Sequence, residues 1–271
     1  MDKKKVSILG LGWLGQPLAH ELMLLGYDVN GSTTSELKRV NMRKEGLQSY
    51  FVKLTEEGVQ GKIQDLFLNT DILVLNIPPG LRRNPNASYV SKIKSLIPFI
   101  ESSSISRVLL VSSTSVFKAE VNFPEIKNST LPNGTSEAAK QLIEVEDLLF
   151  NNSNFKTTIL RFAGLIDERR HPATMMSKRK GIKGGGGPVN LIHLKDCIQI
   201  ITTIIEKGIW NEKMNAAYSN HPTKKEYYKR VCENMNLPMP EFLDEIDVKG
   251  KKINGLDTIR LLGINYLQPI I

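Results

Sequence analysis

The chain has 271 residues, 41% of them hydrophobic and 24% charged. This is the composition of a globular protein long enough to bury one large core, and it excludes disordered and fibrous classes. Lys and Arg outnumber Asp and Glu by 36 to 28, a formal net charge of +8. The cations are scattered apart from clusters at Lys3–Lys5, Lys178–Lys183 and Lys249–Lys252, and no aromatic residues interleave them. That distribution argues for small anionic ligands and against nucleic acid. No apolar run approaches the roughly 20 residues of a membrane span, and Met1–Lys5 lead straight into an apolar strand, so no membrane partner and a cytoplasmic location are expected. Cys197 and Cys232 are too few for a disulfide framework and show no metal spacing; two reduced, buried thiols and no metal are expected.

The first element lies in VSILGLGWLG, Val6 to Gly15. An apolar run with β-branched Val6 and Ile8 reads as a short buried strand, followed by Gly10, Gly12 and Gly15 in the spacing GxGxxG. Leu14, Leu18, Leu22 and Leu25 then mark a helix. In a strand–turn–helix of this kind Gly10 turns the chain, Gly12 lets the backbone approach a pyrophosphate, and Gly15 lets the helix lie close on the strand. The N–H groups of Trp13, Leu14 and Gly15 and the positive end of the helix dipole would face the phosphates. Trp13 would either cover the cofactor or pack on a neighbouring loop. Pro17 suits the first helical turn and Gly26 the helix end.

Tyr27–Ser32 reads as a second strand and Ser35–Glu45 as a helix closed by Gly46. An NAD-type site wants a carboxylate at the tip of this strand to hold the ribose hydroxyls, but the tip here is Gly31, Ser32, Thr33 and Thr34, with Lys38 and Arg39 beyond. Small hydroxyls and cations suit a 2′-phosphate, so the pattern points to NADP, with NAD as the alternative; the same residues also read as a turn capping the next helix.

Ser49–Val52 is a third strand. Asp71–Asn76 is a fourth, continuously apolar as a strand covered on both faces must be, and it breaks at Ile77, Pro78 and Pro79. That break opens a loop at the carboxyl edge of the sheet, where open α/β sheets bind ligands, and makes Asn76, Ile77 and Pro78 cofactor candidates. Asn86–Glu101 reads as a helix, Arg107–Ser113 as the fifth strand and Ser136–Phe150 as a helix with Ala138, Leu142, Val145 and Leu149 on its buried stripe. A sixth strand ends in ILRFAGLI, Ile159 to Ile166. The alternation implies a parallel, doubly wound sheet. Leu194–Lys207, Thr223–Met235 and Asn254–Leu262 read as later helices. Gly184–Gly187 reads as a mobile surface loop, having no strand and helix to frame it as a phosphate cradle.

The opening GLGWLG, the strand end SSTSVF at Ser112–Phe117, the loop Arg169–Arg170–His171–Pro172, the segment GIKGGGGPVNLIHLKD and NAAYSNHPTKKEYY occur in an order that resembles the extended short-chain dehydrogenase/reductase superfamily of nucleotide-sugar epimerases and dehydratases. More narrowly it resembles the atypical YeeZ-like branch, with GxGWLGxPLA near the start and xPVNLIHxxD late in the chain. The resemblance implies a Rossmann-type doubly wound parallel sheet over residues 1–165 and a smaller mixed substrate lobe over 166–271, with crossovers back to the sheet and a homodimer as in many relatives. It implies an NAD(P)-dependent oxidoreductase or epimerase acting on a nucleotide-sugar or a small hydroxyl or carbonyl substrate.

In that superfamily a Ser at the end of the fifth strand, and a Tyr followed four residues later by Lys, carry the chemistry. The serine falls on Ser113 and the lysine on Lys140; Ser136 stands where the tyrosine should be. A serine hydroxyl is a far weaker acid than a phenol and is shorter, so the usual relay is in doubt. Lys140 reads equally as a cofactor-ribose ligand and as an exposed lysine paired with Glu137 or Glu144. By the same resemblance Ser112 and Phe162 would line the cofactor, and Arg169, Arg170, Asn190 and His193 the substrate. His171 is a proton-transfer candidate, while His193 reads more readily as a structural residue. Two alternatives remain: a regulator that binds NADP and has lost turnover, favoured by Ser136, and a hydroxyacid dehydrogenase, which would continue into a long all-helical domain.

Overall fold

The computed structural model describes residues 4–81 and 84–270; Met1–Lys3, part of the expected lead into the first strand, lie outside them. The chain runs as β1 (Lys5–Leu9), α1 (Gly15–Leu24), β2 (Asp28–Thr33), α2 (Glu36–Lys44), β3 (Gln48–Leu54), β4 (Val59–Gly61), α3 (Ile63–Phe67), β5 (Ile72–Leu75), α4 (Tyr89–Glu101) and β6 (Arg107–Ser113). After a 3₁₀ turn at Thr114–Val116 come β7 (Glu125–Ile126), α5 (Glu137–Phe150), β8 (Lys156–Phe162), β9 (Gly164–Ile166), α6 (Ala173–Met176), β10 (Leu191–His193), α7 (Leu194–Lys207), β11 (Lys213–Ala216), α8 (Lys224–Asn234), β12 (Lys252–Ile253) and α9 (Leu256–Leu262).

Eight strands form one sheet in the order β11-β8-β6-β5-β1-β2-β3-β4. The pairs β1–β2, β1–β5, β2–β3 and β5–β6 are parallel, and β4 pairs antiparallel with β3. This is the expected Rossmann-type doubly wound arrangement, with a hairpin added at one edge. The third strand extends two residues beyond the expected Val52 because β4 gives Lys53 and Leu54 backbone partners in Gln60 and Val59. The sixth predicted strand is two: β8 stops at Phe162, and β9 pairs in parallel with β10.

The chain divides into two compact units that interleave in sequence. Unit 1 comprises residues 1–113, 135–160 and 201–213; unit 2 comprises 114–134, 161–200 and 214–271. The expected boundary at 165 lies inside the 161–200 segment of unit 2, and 201–213 belongs to unit 1. The segment 114–134 joins the later unit, which no single cut in the sequence describes. Unit 2 has its own core of Ile166, Ala173, Val189, Leu191, Tyr227, Val231, Cys232 and Ile270. Its Gly184–Gly187 segment is tied down: Gly187 N–H donates to Gly184 O, and Lys224 and Lys225 N–H donate to Gly187 O and Gly185 O. Cys197 and Cys232 are buried and unbridged. Among the described residues no helix is long and apolar enough to cross a membrane, and no group of three or more His, Cys, Asp or Glu is placed to hold a metal.

The centre of unit 1 is apolar, with Val6, Ile8, Leu9 and the whole of β5 fully or almost fully buried. One polar knot interrupts it. Ser7 Oγ lies 2.6 Å from Asn30 Oδ1, 2.8 Å from Leu66 O and 2.7 Å from Thr70 Oγ1, and Asn30 Nδ2 donates to Leu66 O at 3.0 Å. The knot fastens the end of α3 to β1 and β2, and because every member is partnered its burial is tolerated. Asn30→Ala removes two buried hydrogen bonds, one to Ser7 Oγ and one to Leu66 O, and should cost about 1–3 kcal/mol of stability. Urea denaturation with an unchanged m-value reads this directly; an unaltered midpoint would contradict it.

Candidate functional site

β1 ends at Leu9 and the chain turns at Gly10, whose φ is +113°. A Cβ at Gly10 would sit 2.4 Å from the Asn76 carbonyl oxygen, and one at Gly15 would sit 2.1 Å from the Gly10 carbonyl oxygen. Both positions require glycine. Gly12 differs, since nothing lies within 4 Å of where its Cβ would be. The turn is held from both sides. Gly10 N–H donates to Ser32 Oγ at 3.0 Å and Leu11 N–H to Ser32 O at 2.7 Å, while the Asn76 side-chain amide donates to Gly10 O at 3.0 Å. No side chain caps the first turn of α1, which leaves a helix start of the kind an anion completes.

This turn opens on a cavity of about 340 Å³. Nine of the residues expected at the cofactor line it: Gly10, Gly12, Ser32, Thr33, Thr34, Lys38, Asn76, Ile77 and Pro78. Trp13, Leu14 and Gly15 belong to the turn itself, Trp13 half-buried and the other two buried. Ser32 and Thr33 retain only 2% and 8% exposure, and their hydroxyls already accept N–H groups, from Gly10 and from Ser35. Ser35 caps α2 by accepting from Lys38 N–H, so the turn-capping role holds there, and Arg39 is paired with Glu36 at 2.6 Å.

The sequence reading did not include Lys53, Tyr89 and Lys92, which also line the cavity. Tyr89 is buried, donates to Ile77 O at 3.0 Å and so steadies the loop after β5; burial pushes its phenol pKa upward. Among the described residues no Asp or Glu lines the cavity.

The other candidates in unit 1 lie elsewhere. Ser112 is buried and donates to Glu146 Oε1 at 2.6 Å, bracing α5 on β6. Ser113 ends β6 half-buried. Ser136 is the N-cap of α5, accepting from Ala139 N–H at 3.2 Å, so it precedes the helix instead of sharing an inward helical face with Lys140. Lys140 is exposed, on the stripe of α5 that also carries Glu144 and Asp147. Neither Ser136 nor Lys140 lines the glycine-turn cavity.

In unit 2, Phe162 is buried at the end of β8. Arg169 and Arg170 are exposed in a turn whose N–H groups donate to Asp167 Oδ1. Asn190 donates to Lys251 O and accepts from Ile253 N–H, both at 2.8 Å, and thus bonds the β12 segment. His193 accepts from Lys195 N–H and lies 3.5 Å from Glu168. His171 Nδ1 accepts from Ala173 N–H at 3.1 Å, which places the proton on Nε2, 2.8 Å from Tyr227 Oη; Tyr227 in turn donates to Ile270 O at 2.7 Å. Both imidazole nitrogens are therefore occupied, Nδ1 in the turn that starts α6 and Nε2 in the link through Tyr227 to Ile270.

Burial lowers the pKa of His171 and also of His221, whose Nδ1 lies 3.0 Å from Val189 O. Each takes a proton in the unfolded chain below about pH 6.5 that the native fold resists. Their stabilising contribution is thus intact above that pH and shrinks as pH falls through it. The thermal midpoint should drop between pH 7.5 and 5.5, and His171→Gln should flatten this slope relative to the parent. The comparison isolates the imidazole from Asp196, whose burial-raised carboxyl titrates with the opposite sign. Equal slopes in the two proteins would contradict the assignment.

No protein-family model matches the chain. Protein YeeZ of Escherichia coli (strain K12) is 32% identical over 268 residues, covering 98% of this chain and 97% of YeeZ. Among solved structures, UDP-glucose 4-epimerase of Thermotoga maritima with UDP-glucose aligns with a TM-score of 0.79 at 16% identity, over 98% of this chain and 94% of that one. UDP-glucuronic acid 4-epimerase of Bacillus cereus in complex with NAD aligns at 0.74 and 16%, with the same coverage. These two show the shared fold. With 32% identity over nearly the whole length of both chains, the chain belongs to the YeeZ family.

Proposed function

We propose that this protein is an NADP-binding oxidoreductase of the epimerase/dehydratase kind, with NAD as the alternative cofactor, acting on a hydroxyl or carbonyl group of a nucleotide-sugar or a small molecule. The observation that carries the proposal is the uncapped start of α1 behind Gly12, opening on a cavity with no carboxylate among its described lining residues. The residues present suit a dinucleotide. The open space at Gly12 admits a diphosphate to the backbone, the first-turn amides are aligned with the helix dipole, and Asn76, Ile77 and Pro78 border the nucleoside end. A bound nicotinamide supplies the hydride exchange. Ser113 ends β6 at the carboxyl edge shared with Gly10, two strands away from β1, and is the hydroxyl assigned to the reacting oxygen. The solved relatives with NAD or UDP-glucose bound agree with this choice of ligand class.

A second reading, an NADP-binding regulator without turnover, is favoured by one observation. The Ser136 hydroxyl is engaged in capping α5, and no phenol replaces it four residues before Lys140.

Fluorescence titration with NADP, NADPH, NAD and NADH tests the proposal. The phosphorylated pair should bind more tightly, and Gly12→Val, which fills the open space without disturbing a positive φ, should weaken both pairs by about ten-fold or more while leaving the thermal midpoint unchanged. Binding of no dinucleotide would refute the function, and equal or tighter binding of NAD would refute NADP. Oxidation of NADPH with a panel of nucleotide-sugars and small carbonyl compounds separates enzyme from regulator.

A further inference from the structure

The cavity beyond the glycine turn carries more positive charge than the tip of β2 accounts for. Three lysines reach it from three elements: Lys38 from α2, Lys53 from β3 and Lys92 from α4. The β2–β3 register pairs Thr33 with Phe51, so Val52 to Leu54 project past the last residue of β2 over the carboxyl edge. They are kept extended there by β4, which pairs Lys53 with Gln60. Lys92 lies one turn into α4, behind the loop that Tyr89 ties through Ile77 O.

Among the described residues none of these three ammonium groups forms an ion pair, whereas Arg39 beside them is neutralised by Glu36 and Lys94 on α4 by Glu144. In the hairpin, Glu56 accepts the Ser88 N–H at 2.8 Å, and neither it nor Glu57 lines the cavity. Three like charges gathered on the lining of one cavity favour an anion there. The Ser32 and Thr33 hydroxyls, which the sequence offers for that anion, are almost fully buried and already accept backbone N–H groups.

We infer that Lys53 and Lys92, together with Lys38, form the clamp for the 2′-phosphate of the cofactor and set the preference for NADP over NAD, with the β3–β4 hairpin as the element that completes it. This rests on the dinucleotide reading above. The anion it selects is a phosphomonoester on the adenosine ribose, held as point charges by flexible ammonium groups instead of a planar fork. The preference should accordingly weaken with salt, because the groups are at least partly exposed.

Lys53→Gln and Lys92→Gln test this by equilibrium titration with NADPH, NADH, adenosine 2′,5′-bisphosphate and adenosine 5′-monophosphate. Each substitution should weaken NADPH and the bisphosphate by about ten-fold, the scale of one charge-assisted contact, and leave NADH and the monophosphate within about two-fold. The double variant should bring NADPH and NADH close together. Lys94→Gln, which removes an equal charge from the same helix outside the cavity, should change none of the four affinities. Circular dichroism confirms folding of each variant. If NADPH and NADH weaken equally in Lys53→Gln and Lys92→Gln, or NADPH does not weaken at all, the clamp is refuted while dinucleotide binding stands. If the parent protein binds no dinucleotide, the function itself is refuted.

Discussion

Three stretches of backbone meet at one point in unit 1: the end of β1, the start of α1 and the end of β5. The meeting is possible only because Gly10 and Gly15 have no side chain, and the Gly10 carbonyl takes up the space between them. The Asn76 amide and the Ser32 hydroxyl then satisfy the polar groups that so tight a turn exposes, so close approach and hydrogen bonding are solved by the same residues. With the turn fixed, the axis of α1, the carboxyl edge of the sheet and the open face of Gly12 are fixed too. The site follows from packing; it is not a separate feature laid on the fold.

Charge is distributed to match. Carboxylates near the cavity are turned to other work, Glu36 to Arg39 and Glu56 to the Ser88 N–H, and three lysines stand in the lining. In unit 2 the polar side chains are largely consumed in construction. Asn190 serves the β12 segment, and His171 with Tyr227 serves the C-terminal residues. The His171 imidazole has both nitrogens hydrogen-bonded, and the Ser136 hydroxyl accepts the Ala139 N–H. These engagements are the physical content of the second functional reading.

The glycine turn was legible in the sequence because its causes are local: spacing, an apolar strand before it and a helical stripe after it. The missing carboxylate at the β2 tip was legible for the same reason. Lys53 was not, since its placement depends on a hairpin whose second strand, Val-Gln-Gly, carries no strand-like pattern of its own and gains its structure from pairing with β3. Lys92 depends on how α4 lies against the loop of Ile77 and Pro78. The partner of His171 stands 56 residues later in the chain, beyond any periodicity. Ser136 did carry a readable signal: Gly-Thr-Ser-Glu before a helical stripe is the composition of a helix start, and weighting it above the four-residue spacing to Lys140 leads to the capping role.

In the proposed complex the amides that follow β1 grip a diphosphate and the β3–β4 hairpin borders the adenosine end. Amide hydrogen exchange with and without NADPH measures this region by region. The account predicts slowed exchange confined chiefly to Gly10–Gly15, Lys53–Gly61 and Asn76–Gly80. Binding of the nucleotide with protection elsewhere, and none in the glycine turn, would contradict it.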